Sequence, residues 1–261
     1  MTGPRAVVLL HGFLGSRRSL ATITHRLAER LPPVTVTALD LLGHGGARPL
    51  PPGADLATLA RAALEDARAL GPSEPFALVG HSLGGRVALR ACLLEPAAIA
   101  HVTLLDIGPS AFRNDHEIGR IVESLVAAPD AAPSRDAFRQ HFRAAGLADE
   151  VTEWLLLNLE PTAGGHRWRI DRAALAALRE RTGGEDLWAA VEAPHAYSLH
   201  CVRAGVSSYV SDEDVRRLTA AGCPVDTIEG ASHFLHVERP LEVVERILAR
   251  LPQARHPIES R

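Results

Sequence analysis

Short apolar runs alternate with longer helix-patterned stretches, and this alternation restricts the fold more than any other feature of the chain. Residues 6–10, 34–39, 76–79 and 102–105 read as strands. Between them, residues 20–31, 56–70 and 86–94 carry apolar side chains at helical spacing; Leu20, Ile23, Leu27 and Leu31 fall on one side of the first. Strands that alternate with helices build a mostly parallel sheet covered by helices. Runs without polar alternation fit strands buried on both faces. The expectation is therefore an α/β fold. The pattern breaks at about residue 111. Residues 112–192 look helical, with no clear strand, and Pro129, Pro133 and Pro161 punctuate them. The alternation resumes at 200–202 and 225–228 and closes with a helix at 241–251. A core of residues 1–111 and 193–261, interrupted by a helical lid at 112–192, is the expected organisation.

At 261 residues the chain is long enough to need no disulfide or metal staple. Its net charge of -3 argues against a nucleic-acid partner. All 28 basic residues are Arg, which excludes Schiff-base chemistry, a lysine base and a phosphate-loop lysine. Cys92, Cys201 and Cys223 are odd in number and widely spaced, matching neither a disulfide framework nor a zinc site. A reducing compartment follows. The first apolar run is too short for a signal-peptide core or a membrane span, so a cytoplasmic location is expected.

The chemistry concentrates at Gly80-His81-Ser82-Leu83-Gly84-Gly85. It fits G-x-S-x-G, with a strand before it and a helix after it. A nucleophile on so sharp a turn needs small residues two before and two after it. Ser82 is the candidate nucleophile, and the amide of Leu83 opens the helix behind it. A serine hydroxyl needs a base. Among thirteen histidines, His233 lies in Gly230-Ala231-Ser232-His233-Phe234, between a strand and the last helix. Loops at the C-terminal ends of parallel strands gather active-site groups. His236 is the fallback; His25 and His141 sit in helical segments and read as surface or packing residues. His11-Gly12-Phe13-Leu14-Gly15 follows the first strand, where the Phe13 amide can join that of Leu83 as an oxyanion hole.

These segments together resemble the α/β-hydrolase superfamily over nearly the whole chain: His11-Gly12-Phe13, Asp40-Leu41-Leu42-Gly43-His44-Gly45, the turn at Ser82, and His233 before a final helix, in that order. Three further stretches are similar to the small YbfF-type carboxylesterases. They are Leu105-Asp106-Ile107-Gly108-Pro109, Trp154-Leu155-Leu156-Leu157-Asn158-Leu159 with Trp168-Arg169-Ile170-Asp171, and the stretch from Val202 to Val210. The resemblance implies a serine esterase without cofactor or metal. Its substrate would be a small-molecule acyl ester or thioester of modest size.

The acid that orients the base is less direct. Many superfamily members carry it after the strand that is here 200–202, as Gly-x-x-Asp; this chain has Ala204 and Ser207 at those positions. Asp212 and Asp214 are nearby, but Ser211-Asp212-Glu213-Asp214 reads as a helix start with a capping box. Asp106 ends the strand after the Ser82 helix, on the same rim as Ser82. The YbfF-type branch places its acid there, so Asp106 is preferred. Two rivals stand beside the esterase: a lyase like the menaquinone-pathway enzyme MenH, or a carbon–carbon bond hydrolase, and a non-catalytic ligand receptor on the same scaffold. The oligomeric state is left open.

Overall fold

The apolar runs become the strands of one parallel sheet in the computed structural model, which describes residues 4–71, 74–111 and 116–252. The expected start of the insertion at 112 lies outside the described residues. In chain order the first half holds β1 (Ala6–Leu10), α1 (Ala21–Arg30), β2 (Thr35–Leu39), α2 (Leu56–Ala69), β3 (Phe76–His81), α3 (Leu83–Leu94) and β4 (Ile99–Leu105). Next come α4 (His116–Ala127), β5 (Ala131–Ala132), α5 (Arg135–Ala144), α6 (Asp149–Leu156), β6 (Leu159–Thr162), β7 (Gly165–Trp168) and α7 (Arg172–Gly183). The chain then runs through α8 (Ala189–Glu192), β8 (Ser198–Ala204), α9 (Asp212–Ala220), β9 (Val225–Ile228), α10 (Leu235–Glu238) and α11 (Pro240–Arg250).

The large sheet has the order β2-β1-β3-β4-β8-β9. The order reverses at β1, and in sheets of this kind ligands bind at the C-terminal strand ends beside that reversal. Val7 and Leu9 of β1, Ala77 and Val79 of β3, and Val202 and Ala204 of β8 pack on one face with Ile23 and Leu27 of α1 and Val243 and Ile247 of α11. Val8, Leu10, Leu78, Val102 and Leu104 alternate with them and are buried on the other face. The middle strands are thus apolar throughout. The edge strands β2 and β9 are only partly buried and carry Thr35, Thr37, Asp226 and Thr227.

The chain divides into two compact units: residues 1–41, 56–110 and 186–261, and residues 42–55 with 111–185. The first contains the parallel sheet. The second is not all helical, as the sequence pattern suggests: β5, β7 and β6 form a small antiparallel sheet in that order. Its strands are two to four residues long and contain Pro161 and Gly165, so they read as turns in the sequence. Phe138, Phe142 and Trp168 pack edge-to-face within this unit. No helix among the described residues is long and apolar enough to cross a membrane.

Candidate active site

Leu14, Ser82 and Asp106 are the non-glycine residues with positive φ among the described residues, at 56°, 51° and 49°. Each lies just beyond the C-terminal end of a strand: β1, β3 and β4. Strained backbone of this kind persists only where its surroundings hold it, and it clusters at functional sites. Ser82 has ψ -118° and precedes α3. Its amide donates to the Leu105 carbonyl at 3.2 Å, and its carbonyl accepts from Gly85 at 2.9 Å. The glycine spacing has a steric cause. A Cβ on Gly80 would sit 2.4 Å from the backbone of Gly84, and one on Gly84 would sit 2.2 Å from the Leu10 carbonyl oxygen. The turn therefore closes tightly on itself, and the first turn of α3 rests on the end of β1.

The loop after β1 is brought to the same place. A Cβ on Gly12 would lie 3.2 Å from Ser82 Cβ. The loop that carries Phe13 thus runs close beside Ser82. His11 fixes this loop. Its Nε2 accepts from the Leu41 amide at 3.0 Å, so its Nδ1–H donates to the Gly12 carbonyl at 2.7 Å. Burial lowers the pKa of His11 and keeps that neutral tautomer.

His233 and Asp106 meet directly. His233 Nδ1–H donates to Asp106 Oδ2 at 2.7 Å, which leaves the lone pair on Nε2. Asp106 is fully buried. Its Oδ1 accepts from the Ala204 amide at 2.9 Å and its Oδ2 from the Ser207 hydroxyl at 2.5 Å. Both of its oxygens are thus hydrogen-bonded inside the protein. Asp212 and Asp214 are engaged elsewhere. Asp212 pairs with Arg203 at 2.8 Å. Asp214 is buried; it accepts from Ser110 and completes the capping box with Ser211. Arg86, one turn beyond Ser82, is buried and donates to the Ser110 carbonyl at 2.8 Å. His25 is exposed, and His141 bonds the Ser124 carbonyl at 3.0 Å, far from this chemistry in the chain.

Four further side chains surround this pair. Ser207 donates its hydroxyl proton to Asp106. Tyr209 stacks on the His233 ring, with centroids 3.9 Å apart. The His81 ring lies 4.7 Å from that of His233 and 4.0 Å from that of His236. Burial, reinforced by neighbouring imidazoles, pushes the His81 pKa well below its ordinary value and that of His236 down to about 4. His236 is buried, and its Nδ1 has no hydrogen-bond partner among the described residues. Among the described residues there is also no cluster of three or more His, Cys, Asp or Glu suited to a metal ion.

The chain is also similar to known proteins. The model of the alpha/beta hydrolase family matches residues 7–246. Lipase LipV of Mycobacterium tuberculosis is 30% identical over 96% of this chain and 94% of its own. The sn-1-specific diacylglycerol lipase ABHD11 of Danio rerio is 27% identical over 94% of this chain and 78% of its own. A 2-succinyl-6-hydroxy-2,4-cyclohexadiene-1-carboxylate synthase of Salmonella agona is 29% identical, covering 94% and 93% of the two chains. Among solved structures, a marine microorganism esterase superposes with a TM-score of 0.81 at 20% identity over 95% of both chains, a likeness of fold.

Proposed function

This chain belongs to the alpha/beta hydrolase family, and from that premise we propose that it is a serine hydrolase cleaving short- to medium-chain acyl esters or thioesters through an acyl-enzyme on Ser82. The observation that carries this reading is the 2.7 Å bond from His233 to the buried Asp106, beside a strained Ser82. In the proposed reaction, His233 Nε2 takes the Ser82 proton as Oγ attacks the acyl carbonyl. Asp106 holds the ring in that tautomer and stabilises the imidazolium. The amides of Leu83 and Phe13 receive the charge on the carbonyl oxygen, roughly 3 kcal/mol of transition-state stabilisation for each such donor. As the ester C–O or thioester C–S bond breaks, His233 returns the proton to the leaving group. Water, deprotonated by His233, then attacks the acyl-enzyme and frees Ser82.

The lipase relatives support ester chemistry. Three buried free thiols, Cys92, Cys201 and Cys223, support the cytoplasm as its compartment. A second reading, lyase or carbon–carbon bond chemistry on the same scaffold, is favoured by the 29% identical synthase. A panel of p-nitrophenyl esters and acyl-CoA thioesters of graded chain length separates the two. Saturable hydrolysis that disappears in Ser82→Ala supports the esterase; no hydrolysis of any member of the panel contradicts it.

A further inference from the structure

We propose that His81 is the positioning residue that ties the catalytic base to the nucleophile. This rests on the reading of Ser82 and His233 given above. His81 is the last residue of β3, paired in register with Leu105 of β4, so its backbone is part of the sheet. Its side chain is buried. Its Nε2 lies 2.8 Å from the main-chain oxygen of His233. A carbonyl oxygen only accepts, so His81 Nε2 must carry the proton and donate it. Burial keeps the ring neutral, and Nδ1 is then bare; it faces Gly12, whose Cβ would stand 2.7 Å away. One imidazole thus touches the three segments that must act together: the strand that delivers Ser82, the loop before Phe13, and the loop that carries His233.

The His233 loop needs such a tie. It joins β9 to the short α10 and is held at Ala231, whose amide donates to the Ile228 carbonyl and whose carbonyl accepts from the Val206 amide after β8, and at Ser232 by Glu238, which accepts from both its amide and its hydroxyl. None of those anchors reaches the turn that carries Ser82. The His81 bond instead runs to the residue next to Ser82, so it sets the position of the base relative to the nucleophile. A displacement of about 1 Å between reacting groups costs on the order of 10²-fold in rate. The packed rings of His233 and His236 keep the His81 ring from turning away.

The test uses the full chain with three replacements. Gln places an N–H donor the same number of bonds from Cα as His Nε2; Asn places it one bond short; Phe keeps a flat ring without a donor. Steady-state hydrolysis of p-nitrophenyl butyrate and the rate of Ser82 labelling by a fluorophosphonate are read for each. The expected result is kcat lower by about 10²-fold in His81→Asn and His81→Phe, KM within about twofold, parallel loss of labelling, and recovery to within about tenfold in His81→Gln. Folded His81→Asn or His81→Phe protein working within about threefold of wild type overturns the inference. Should neither fold, His81→Gln decides: folded and below about one-hundredth of wild-type kcat, it overturns the inference as well. Ser82→Ala is measured alongside. Full turnover by that variant defeats the underlying reading of the site, whereas an inactive Ser82→Ala with active His81 variants defeats the His81 role alone.

Discussion

Replacing Asp106 with Asn exchanges one oxygen for an NH2 group and should stop catalysis without unfolding the protein. The surroundings decide how the amide sits. With its oxygen toward the Ala204 amide, Asn keeps the 2.9 Å bond that Asp106 Oδ1 accepts. Its NH2 then faces His233 Nδ1 and the Ser207 hydroxyl, where Oδ2 accepts at 2.7 Å and 2.5 Å. The hydroxyl can rotate to accept. The imidazole must accept too, so its proton moves to Nε2, the nitrogen that has to be bare to take the Ser82 proton. The flipped amide would set two buried donors against each other at Ala204, at a cost of roughly 1–3 kcal/mol. The first orientation therefore prevails, and the base is locked in the wrong tautomer. The expected loss in kcat/KM is about 10⁴-fold, or about 5 kcal/mol, the order found when the Asp of a serine-protease triad becomes Asn. Stability in urea should change by less than about 1 kcal/mol, because the Ala204 bond survives and a buried charge is removed. Asp212→Asn, at an exposed carboxylate paired with Arg203, is the control and should stay within about twofold. The reasoning is refuted if folded Asp106→Asn hydrolyses p-nitrophenyl esters within tenfold of wild type, or if Asp212→Asn is the variant that loses activity.

Stability should fall with acid. His101 and His236 are both buried, and their pKa values are pushed down from 6.5 to about 3 and about 4. The unfolded chain then binds protons that the folded one refuses, so their contribution is whole above pH 6.5 and is lost progressively as pH falls from 6.5 towards about 4 for His236 and about 3 for His101. At pH 5 the two together cost roughly 4 kcal/mol, which urea melts at pH 8 and pH 5 will detect; equal midpoints would contradict the burial argument. Gly84→Ala forces a Cβ to within 2.2 Å of the Leu10 carbonyl oxygen and should destabilise by about 3 kcal/mol or leave no soluble protein. Gly119→Ala, in α4 with nothing within 4 Å, should instead stabilise by roughly 0.5–1 kcal/mol in the same melts.

The parts of the site that are legible in the sequence are those with a local cause. The glycines around Ser82 are spaced by a contact within the turn itself, and Ser211 with Asp214 forms a capping box across three residues. The small sheet of the second unit is not legible. Its strands are shorter than one period of alternation can mark, and Pro161 and Gly165 mask them as turns. The edge strand β9 is marked weakly because half-exposed Asp226 and Thr227 break the apolar run. The choice among Asp106, Asp212 and Asp214 depends on the alignment of β4 with β8, which brings Ala204 and Ser207 to the Asp106 carboxylate. Nothing within a few residues of any of the three encodes that register. The contact from His81 to His233 is invisible in the chain for the same reason: it joins residues that only the finished sheet makes neighbours.

Acyl transfer to Ser82 is the first step of the proposed reaction. Treating wild type, Ser82→Ala and His233→Ala with a fluorophosphonate, and then locating the adduct by peptide mass spectrometry, reads that step directly. We expect one stoichiometric adduct on Ser82 in wild type, none in Ser82→Ala, and labelling slowed by at least about 10³-fold in His233→Ala. An adduct on another residue, or a folded wild type that stays unmodified, would contradict the account.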